Sequence, residues 1–223
     1  MVALLLLVLF DTPPSRAASL DALTPVDASA GVKAALSQGI STAVSHLSAT
    51  DGFLKNPKVT IPLPPALEKA DAAMRMIGMA GQTDALRVAM NHAAESAVGE
   101  ATPVLKKALQ HLSLADAKGI LGGGDDAATA YFRRSSGAEL KSRFKPIVAR
   151  ATAKLKIAAL YDQYAGKAAQ FGLVSADNAT LDDYVTGRAL DGLFLEIADE
   201  ERAIRKDPLG QASGLIKKVF GAL

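Results

Sequence analysis

The 223-residue sequence contains no cysteine and no tryptophan, and aromatic residues make up only 5% of it. Without cysteine there is no disulfide framework, no thiolate nucleophile and no cysteine-ligated metal site. The chain is nevertheless 49% hydrophobic, and much of that share is alanine. This composition favours close-packed helices over a β-sandwich or barrel, whose strands need β-branched and aromatic residues. The sequence therefore predicts an all-α fold.

An excess of charge of one sign is also missing, because 25 Lys and Arg stand against 23 Asp and Glu, a net charge of +2. A general nucleic-acid-binding domain carries a strongly basic stripe, so nucleic acid is not an expected partner. The sequence also lacks the phosphate-loop pattern, the H-E-x-x-H zinc helix and the G-x-S-x-G serine motif. We therefore predict no catalytic residue, no bound metal and no cofactor, and the sequence leans against an enzyme.

The longest hydrophobic run, VALLLLVLF at residues 2–10, is too short to cross a membrane as a helix. Ser15, Arg16, Ala17 and Ala18 follow it and supply the small residues that signal peptidase requires. We predict a signal peptide over residues 1–18, cut near Ala17 or Ala18. No later run is long enough for a transmembrane segment, so the mature protein is expected to be soluble and periplasmic, or otherwise exported.

Hydrophobic residues three or four positions apart predict amphipathic helices along most of the chain, as at Val32, Leu36 and Ile40. Capping residues, glycines and prolines divide the sequence into about eight to ten helices. One of the predicted boundaries is a capping box at Ser136 and Glu139. No linker separates domains. We predict a flexible leader over residues 19–30 and a single bundle-like domain over residues 31–223.

One short proline-rich segment, KVTIPLPP at residues 58–65, interrupts the helical pattern. Its prolines exclude a helix, and residues 58–61 are predicted to be extended. Val59, Ile61 and Leu63 alternate with residues that tolerate solvent, so one side of the segment can be buried. This alternation favours a strap packed across the helices; the alternative is a partner-binding arm.

The segment GILGGGDDAATAYFRR, residues 119–134, has the strongest appearance of a ligand site. A phosphate cradle needs free amides at a helix start and usually a lysine, but here Asp125 and Asp126 occupy that start and would repel a phosphate. The favoured interpretation is structural. Gly122 ends one helix in a left-handed conformation, and Asp125 or Asp126 caps the next helix.

A second acidic pair, Asp182 and Asp183, opens another helix, with Thr180 as its predicted cap. If this pair met Asp125 and Asp126 in the folded chain, the four carboxylates would form a candidate acidic cluster. Such a cluster suits a hard cation or acid–base chemistry, although neither stretch has the spacing of a calcium loop.

Residues 131–156 contain eight basic side chains and one acidic one, whereas residues 180–207 contain eight acidic and four basic side chains. The favoured interpretation is that the two segments pair across a helix interface or line opposite faces. The alternative is a candidate basic surface for anionic lipid head groups. Its members are Arg133, Arg134, Lys141, Arg143, Lys145 and Arg150.

The C-terminal segment GLIKKVFGAL, residues 214–223, is amphipathic, with two lysines opposite its hydrophobic side chains. The pattern fits a last helix that docks on the core. It also fits a helix that lies on a membrane surface. Docking is the favoured interpretation because the apolar stripe is ordinary.

Three separated blocks of the sequence are familiar in combination: SHLSATDGFLKNPKVTIPLPPALEK; GGGDDAATAYFRR with RFKPIV; and LDDYVTGRALDGLFLEIADEERAIRKDP with LIKKVFG. In this order they resemble the bacterial domain-of-unknown-function 4197 family, from about residue 33 to residue 221. The resemblance implies an exported helical bacterial protein. It supplies no activity, substrate or site residue.

Three hypotheses about function follow. The first is a non-enzymatic binding protein of the bacterial envelope, whose helices enclose a hydrophobic or lipid-like ligand near the basic segment. The second is a structural or protein-interaction module with an envelope protein as partner. The third is an enzyme that uses the candidate acidic cluster. The sequence favours them in this order and leaves the ligand and the oligomeric state open.

Overall fold

The structure is a computed structural model that describes residues 24–76, 78, 80–171, 175, 178–211 and 213–221. The predicted signal peptide lies outside the described residues. The described residues form helices and connecting turns without a β-strand, which confirms the all-α prediction. Their nine helices are α1 (Pro25–Ser48), α2 (Pro65–Met76), α3 (Ala80–Gly99), α4 (Ala101–Gln110), α5 (Leu114–Leu121), α6 (Ala127–Thr152), α7 (Lys156–Gln170), α8 (Leu181–Lys206) and α9 (Gly214–Phe220).

Helix α1 begins earlier than the sequence predicted. Thr24 is extended, and its side-chain oxygen accepts a hydrogen bond from the backbone N–H of Asp27 at 3.1 Å. Pro25 follows in the first helical turn. Proline is tolerated there because the N–H groups of the first turn have no intrahelical partner. The prediction of a flexible leader over residues 19–30 is therefore wrong for residues 25–30, and residues 19–23 lie outside the described part.

Two long antiparallel helices, α6 and α8, form the centre of the fold. Each has 26 residues and is about 39 Å long. Ala128 near the start of α6 bonds to Glu201 near the end of α8, and Thr152 at the end of α6 bonds to Asp182 at the start of α8. Helix α3 packs against both, and α1 packs against α3 and α8. The core lies among these four helices.

The predicted helix start at Ser136 is wrong, because α6 runs without a break from Ala127 to Thr152. The buried positions Leu140, Phe144 and Val148 keep a spacing of four residues through this region. Packing of that continuous face against α3 and α8 prevails over the local capping signal. Ser136 is itself buried inside the helix.

The proline strap, residues 58–65, crosses the helices as the alternation predicted. Val59, Ile61 and Leu63 are buried, whereas Lys58, Thr60 and Pro62 are exposed. The backbone is not extended over residues 58 and 59, however, because Val59 N–H and Thr60 N–H both bond to the carbonyl of Asn56 in a turn. The prediction of extended backbone over residues 58–61 is therefore wrong for residues 58 and 59, and residues 60–64 have no regular secondary structure.

Helix α9 docks on α1, which agrees with the favoured interpretation of the C-terminal segment. Ile216, Val219 and Phe220 are buried, so the hydrophobic face that a membrane would need is already covered. Lys218 extends the contact with an ion pair to Asp27 at 2.8 Å. Among the described residues, no helix combines the length and the hydrophobicity needed to cross a membrane.

Candidate functional site

The glycine–aspartate seam, residues 119–126, does not use its own aspartates as caps. Asp126 precedes α6 but makes no capping hydrogen bond with its side chain. Gly122 has φ −83°, so it is right-handed and not left-handed as predicted. The glycine that the seam requires is instead Gly123. A Cβ at this position would lie only 2.7 Å from the Cβ of Ala127, so a larger residue would clash. The capping interpretation of Asp125 and Asp126 is therefore wrong.

The start of α6 is capped by Glu201, which reaches across from α8. Its two carboxylate oxygens accept hydrogen bonds from the backbone N–H groups of Ala128 and Thr129, both at 3.0 Å. The hydroxyl of Thr129 donates a third bond at 3.1 Å. The positive end of the α6 dipole and its unpaired N–H groups thus receive a buried carboxylate.

Arg205 completes this junction. Its guanidinium pairs with Glu201 at 2.9 Å and donates to the carbonyl of Ile120 at the end of α5 at 2.7 Å. It also lies over the ring of Phe220 in α9. One Glu–Arg pair therefore joins four helices, and the seam is a structural junction. Its local signal in the sequence is the four-residue spacing of Glu201 and Arg205 on one helix face.

The candidate acidic cluster does not form. Asp126 precedes the first residue of α6, whereas Asp182 accepts a hydrogen bond from Thr152, the last residue of that helix. The two acidic pairs are therefore separated by about the length of α6, roughly 39 Å. No single ion or substrate atom can bridge that distance.

Asp183 is engaged at the start of α8. It pairs with Lys145 of α6 at 2.6 Å and forms a reciprocal pair of bonds with Thr180, the predicted cap. Burial raises the pKa of Asp183, but the Lys145 ammonium and the Thr180 hydroxyl outweigh it, so the pKa is lowered. Thr180 as the helix cap is confirmed.

The six members of the candidate basic surface have different surroundings. Arg133 pairs with Asp191 at 3.3 Å, and Lys145 pairs with Asp183, so the basic and acidic segments do meet across the α6–α8 interface. Arg143 pairs with Glu139 within α6. Arg134 and Arg150 are exposed, and Lys141 is half-buried and has an interaction partner of its own.

An apolar groove of about 910 Å³ lies between α2 and α7, both of which pack on α3. Hydrophobic side chains from the two helices make up most of its wall, and two of them are largely exposed: Leu160 at 53% and Tyr164 at 68%. Tyr161 keeps its hydroxyl bonded to the carbonyl of Asn178 and turns its ring to the groove. The other hydrophobic lining residues are Pro65, Ala66, Leu67, Met74, Ile157, Ala165 and Ala168.

A smaller cationic pocket of about 440 Å³ adjoins the groove, because Asn178 lines both. Three basic side chains, Arg133, Lys141 and Arg188, line this pocket together with one carboxylate, that of Asp191. Arg133 lies over the ring of Phe194 with its guanidinium 4.6 Å from the centroid. Arg188 likewise lies over the ring of Tyr184, 5.4 Å from the centroid, so aromatic rings support both arginines of the pocket.

The groove was not predicted as a site, although its residues carry a signal. Ile157, Leu160, Tyr161 and Tyr164 have the spacing of a single hydrophobic stripe along α7. Ile157 and Tyr161 in this stripe are buried, whereas Leu160 and Tyr164 remain exposed. Large exposed hydrophobic patches mark interaction or ligand sites.

Searches of the curated proteins and of the solved structures find no match. The sequence profile of one family, described as "Protein of unknown function (DUF4197)", matches residues 22–221. That match spans all nine described helices and the junctions between them. The chain therefore belongs to the DUF4197 family.

Proposed function

We propose that this protein is a non-enzymatic binding protein for an amphiphile with one hydrophobic chain and an anionic head group. The groove between α2 and α7 would hold the hydrophobic chain, and its volume and mostly hydrophobic wall carry the proposal. At about 910 Å³ it falls within the range of ligand pockets, roughly 300–1,000 Å³. A hydrophobic chain would also remove Leu160 and Tyr164 from water.

The cationic pocket supports an anionic head group. Arg133 and Arg188 bring two guanidinium groups to the pocket, Arg133 pairs with Asp191, and the pocket meets the groove at Asn178. An amphiphile whose chain follows the groove would therefore place its head among these cations. Arginine matches carboxylate and phosphate oxygens with a planar pair of donors, which favours either head group.

The location of this function in the bacterial envelope rests on the predicted signal peptide. A structural or interaction module with an envelope partner is the alternative. This alternative has less support, because it would use the proline strap as a docking surface for the partner. The hydrophobic side chains of the strap are buried against the helices. The enzyme hypothesis loses its candidate residues, since the two acidic pairs lie at opposite ends of α6.

The groove is tested by titrating the full chain with an intrinsically fluorescent polyene fatty acid. The double variant Leu160→Ser/Tyr164→Ser is expected to bind at least tenfold more weakly, because each buried hydrophobic side chain contributes about 1.5–3 kcal/mol. Leu209→Ser is the matched control, since Leu209 is 70% exposed and lies outside the groove. Undiminished binding by the double variant would refute the groove as the site.

The head-group pocket is tested separately with the methyl ester of the same fatty acid. Loss of a charge-assisted hydrogen bond costs about 1.5–3 kcal/mol, so the ester is expected to bind about ten- to a hundredfold more weakly. Arg188→Ala should remove the difference between acid and ester, whereas Lys206→Ala on the same helix should preserve it. Equal binding of acid and ester by the unmodified chain would remove the anionic head group from the proposal.

A further inference from the structure

Away from the groove, three metal-ligating side chains meet where the end of α1 crosses α8. His46 lies in the last turn of α1, and Glu196 and Glu200 lie one turn apart on α8. One ligand atom from each lies within 4.8 Å of the other two. Nδ1 of His46 is already 3.3 Å from Oε1 of Glu196.

Most of the other acidic residues of α8 pair with a cationic side chain. Asp183, Asp191, Asp199 and Glu201 each pair with a lysine or an arginine. Within the described part of the chain, the carboxylate of Glu200 makes no hydrogen bond and no ion pair, although the side chain is half-buried.

The local charge is therefore unbalanced. The carboxylates of Glu196 and Glu200 both lie close to one imidazole, that of His46. Two carboxylates one turn apart on a helix repel each other unless a cation lies between them. His46, Glu196 and Glu200 therefore bring negative charge and three possible metal-ligand atoms to the same place.

We propose that His46, Glu196 and Glu200 bind a divalent transition-metal ion of the zinc class, with water completing the coordination. An imidazole ligand favours zinc-class ions over Ca²⁺ and Mg²⁺, which prefer oxygen ligands alone. Metal–ligand bonds of about 2.0–2.2 Å in a tetrahedron put ligand atoms about 3.4 Å apart. The His46–Glu196 spacing of 3.3 Å meets this requirement, and a rotation of the Glu200 side chain would have to bring its carboxylate from within 4.8 Å to the same spacing.

Such an ion would join α1 to α8 where His46 and Glu196 are already in contact. The site is independent of the proposed amphiphile groove, which lies between α2 and α7. Because the ion binds the folded chain, it stabilises the fold in proportion to the logarithm of its free concentration above the dissociation constant.

The test is calorimetric titration of the metal-stripped full chain with Zn²⁺. The unmodified chain is expected to bind one ion, and Glu200→Gln and His46→Ala are expected to weaken binding at least tenfold. His111→Ala is the matched control, because His111 is exposed and lies outside the cluster. Glu200→Gln keeps the shape of the side chain and removes an unpaired charge, so it is expected to fold.

Thermal unfolding gives a second measurement. Zn²⁺ should raise the melting temperature of the unmodified chain and of His111→Ala, and it should leave that of Glu200→Gln unchanged. Three results would overturn the proposal: no Zn²⁺ binding by the unmodified chain up to millimolar concentration, undiminished binding in both His46→Ala and Glu200→Gln, or Ca²⁺ binding as tight as Zn²⁺ binding.

Discussion

Glu201 illustrates how much a single buried carboxylate contributes to this fold. Its side chain is only 3% exposed and that of Arg205 is 11% exposed, so both charges are removed from water at a cost of several kcal/mol each. The ion pair and the three hydrogen bonds from Ala128 and Thr129 offset that cost. The arrangement stabilises the chain only while every member is present.

We expect Glu201→Gln to lower the free energy of unfolding by about 3–5 kcal/mol, because it leaves the Arg205 guanidinium buried without its counter-charge. Urea unfolding followed by circular dichroism measures the change. Glu100→Gln, at an exposed position, is the control and should change stability by less than about 0.5 kcal/mol. A loss below about 1 kcal/mol for Glu201→Gln would contradict this account of the junction.

Two helical glycines are expected to respond to alanine with opposite signs. At Gly31 a Cβ would lie 2.3 Å from Cγ2 of Val219, so alanine must push α9 away from α1 and should cost about 1–3 kcal/mol. At Gly137 a Cβ would meet nothing within 4 Å, so alanine should stabilise the chain by about 0.5–1 kcal/mol. Chemical unfolding of both variants measures the two values. If both substitutions changed stability in the same direction, the close packing of α9 on α1 would be in doubt.

At the scale of elements, the α6–α8 pair is held differently at its two ends. The Glu201 end is buried, whereas Lys145 at the other end is 48% exposed and Asp183 is 16% exposed. Solvent weakens the second pair, which therefore contributes about 1 kcal/mol or less. The capping bonds between Asp183 and Thr180 add to it. The Lys145–Asp183 end should therefore make the stability of the α6–α8 pair sensitive to acidic pH.

Asp183→Asn should lower the free energy of unfolding by about 1–2 kcal/mol at pH 7. Because the folded-state pKa of Asp183 is lowered, its stabilising contribution is complete above the unfolded pKa, about 4, and is lost as the pH falls through the folded value. Urea unfolding at pH 7, 5 and 3.5 should therefore show the gap between the two proteins narrowing only below about pH 4. A gap that stays constant over this range would contradict the assigned ion pair.

The elements that the sequence predicted correctly depend on near neighbours. Thr180 caps α8 as predicted, because its bonds to Asp183 span only three residues. The buried side of the proline strap followed from alternation of adjacent residues. These features need no knowledge of which helices meet.

The features that the sequence did not predict depend on distant partners. Asp125 and Asp126 had the right position to cap α6, but the bonds come from Glu201, 72 and 73 residues away. Asn91 of α3 likewise binds both the N–H and the carbonyl of Ile61 in the strap. The groove is the hardest of these features to predict, because it is a space between two packed helices. Its volume depends on how those helices pack and not on a local sequence pattern.

At the scale of the whole molecule, the core is concentrated in a few helices. Helix α8 has 13 buried residues among its 26, whereas α7 has four among its 15. In α2 no described side chain is buried. Opening a helix exposes only the surface that it buries, so α2 and α7 should open at lower free energy than α8. The two helices that form the groove are thus the ones that a ligand would stabilise most.

Hydrogen exchange measured by mass spectrometry tests this distribution in two steps. In the free protein, amides of α2 and α7 should exchange faster than those of α6 and α8, because fewer buried contacts oppose their opening. Saturating fatty acid should then slow exchange in α2 and α7 selectively, since a ligand that binds the closed groove opposes local opening by mass action. The Leu160→Ser/Tyr164→Ser variant should show the first pattern without the second. Ligand protection confined to α6 and α8 would place the binding site elsewhere, and slow exchange of α2 and α7 in the free protein would mean that the groove is rigid before any ligand arrives.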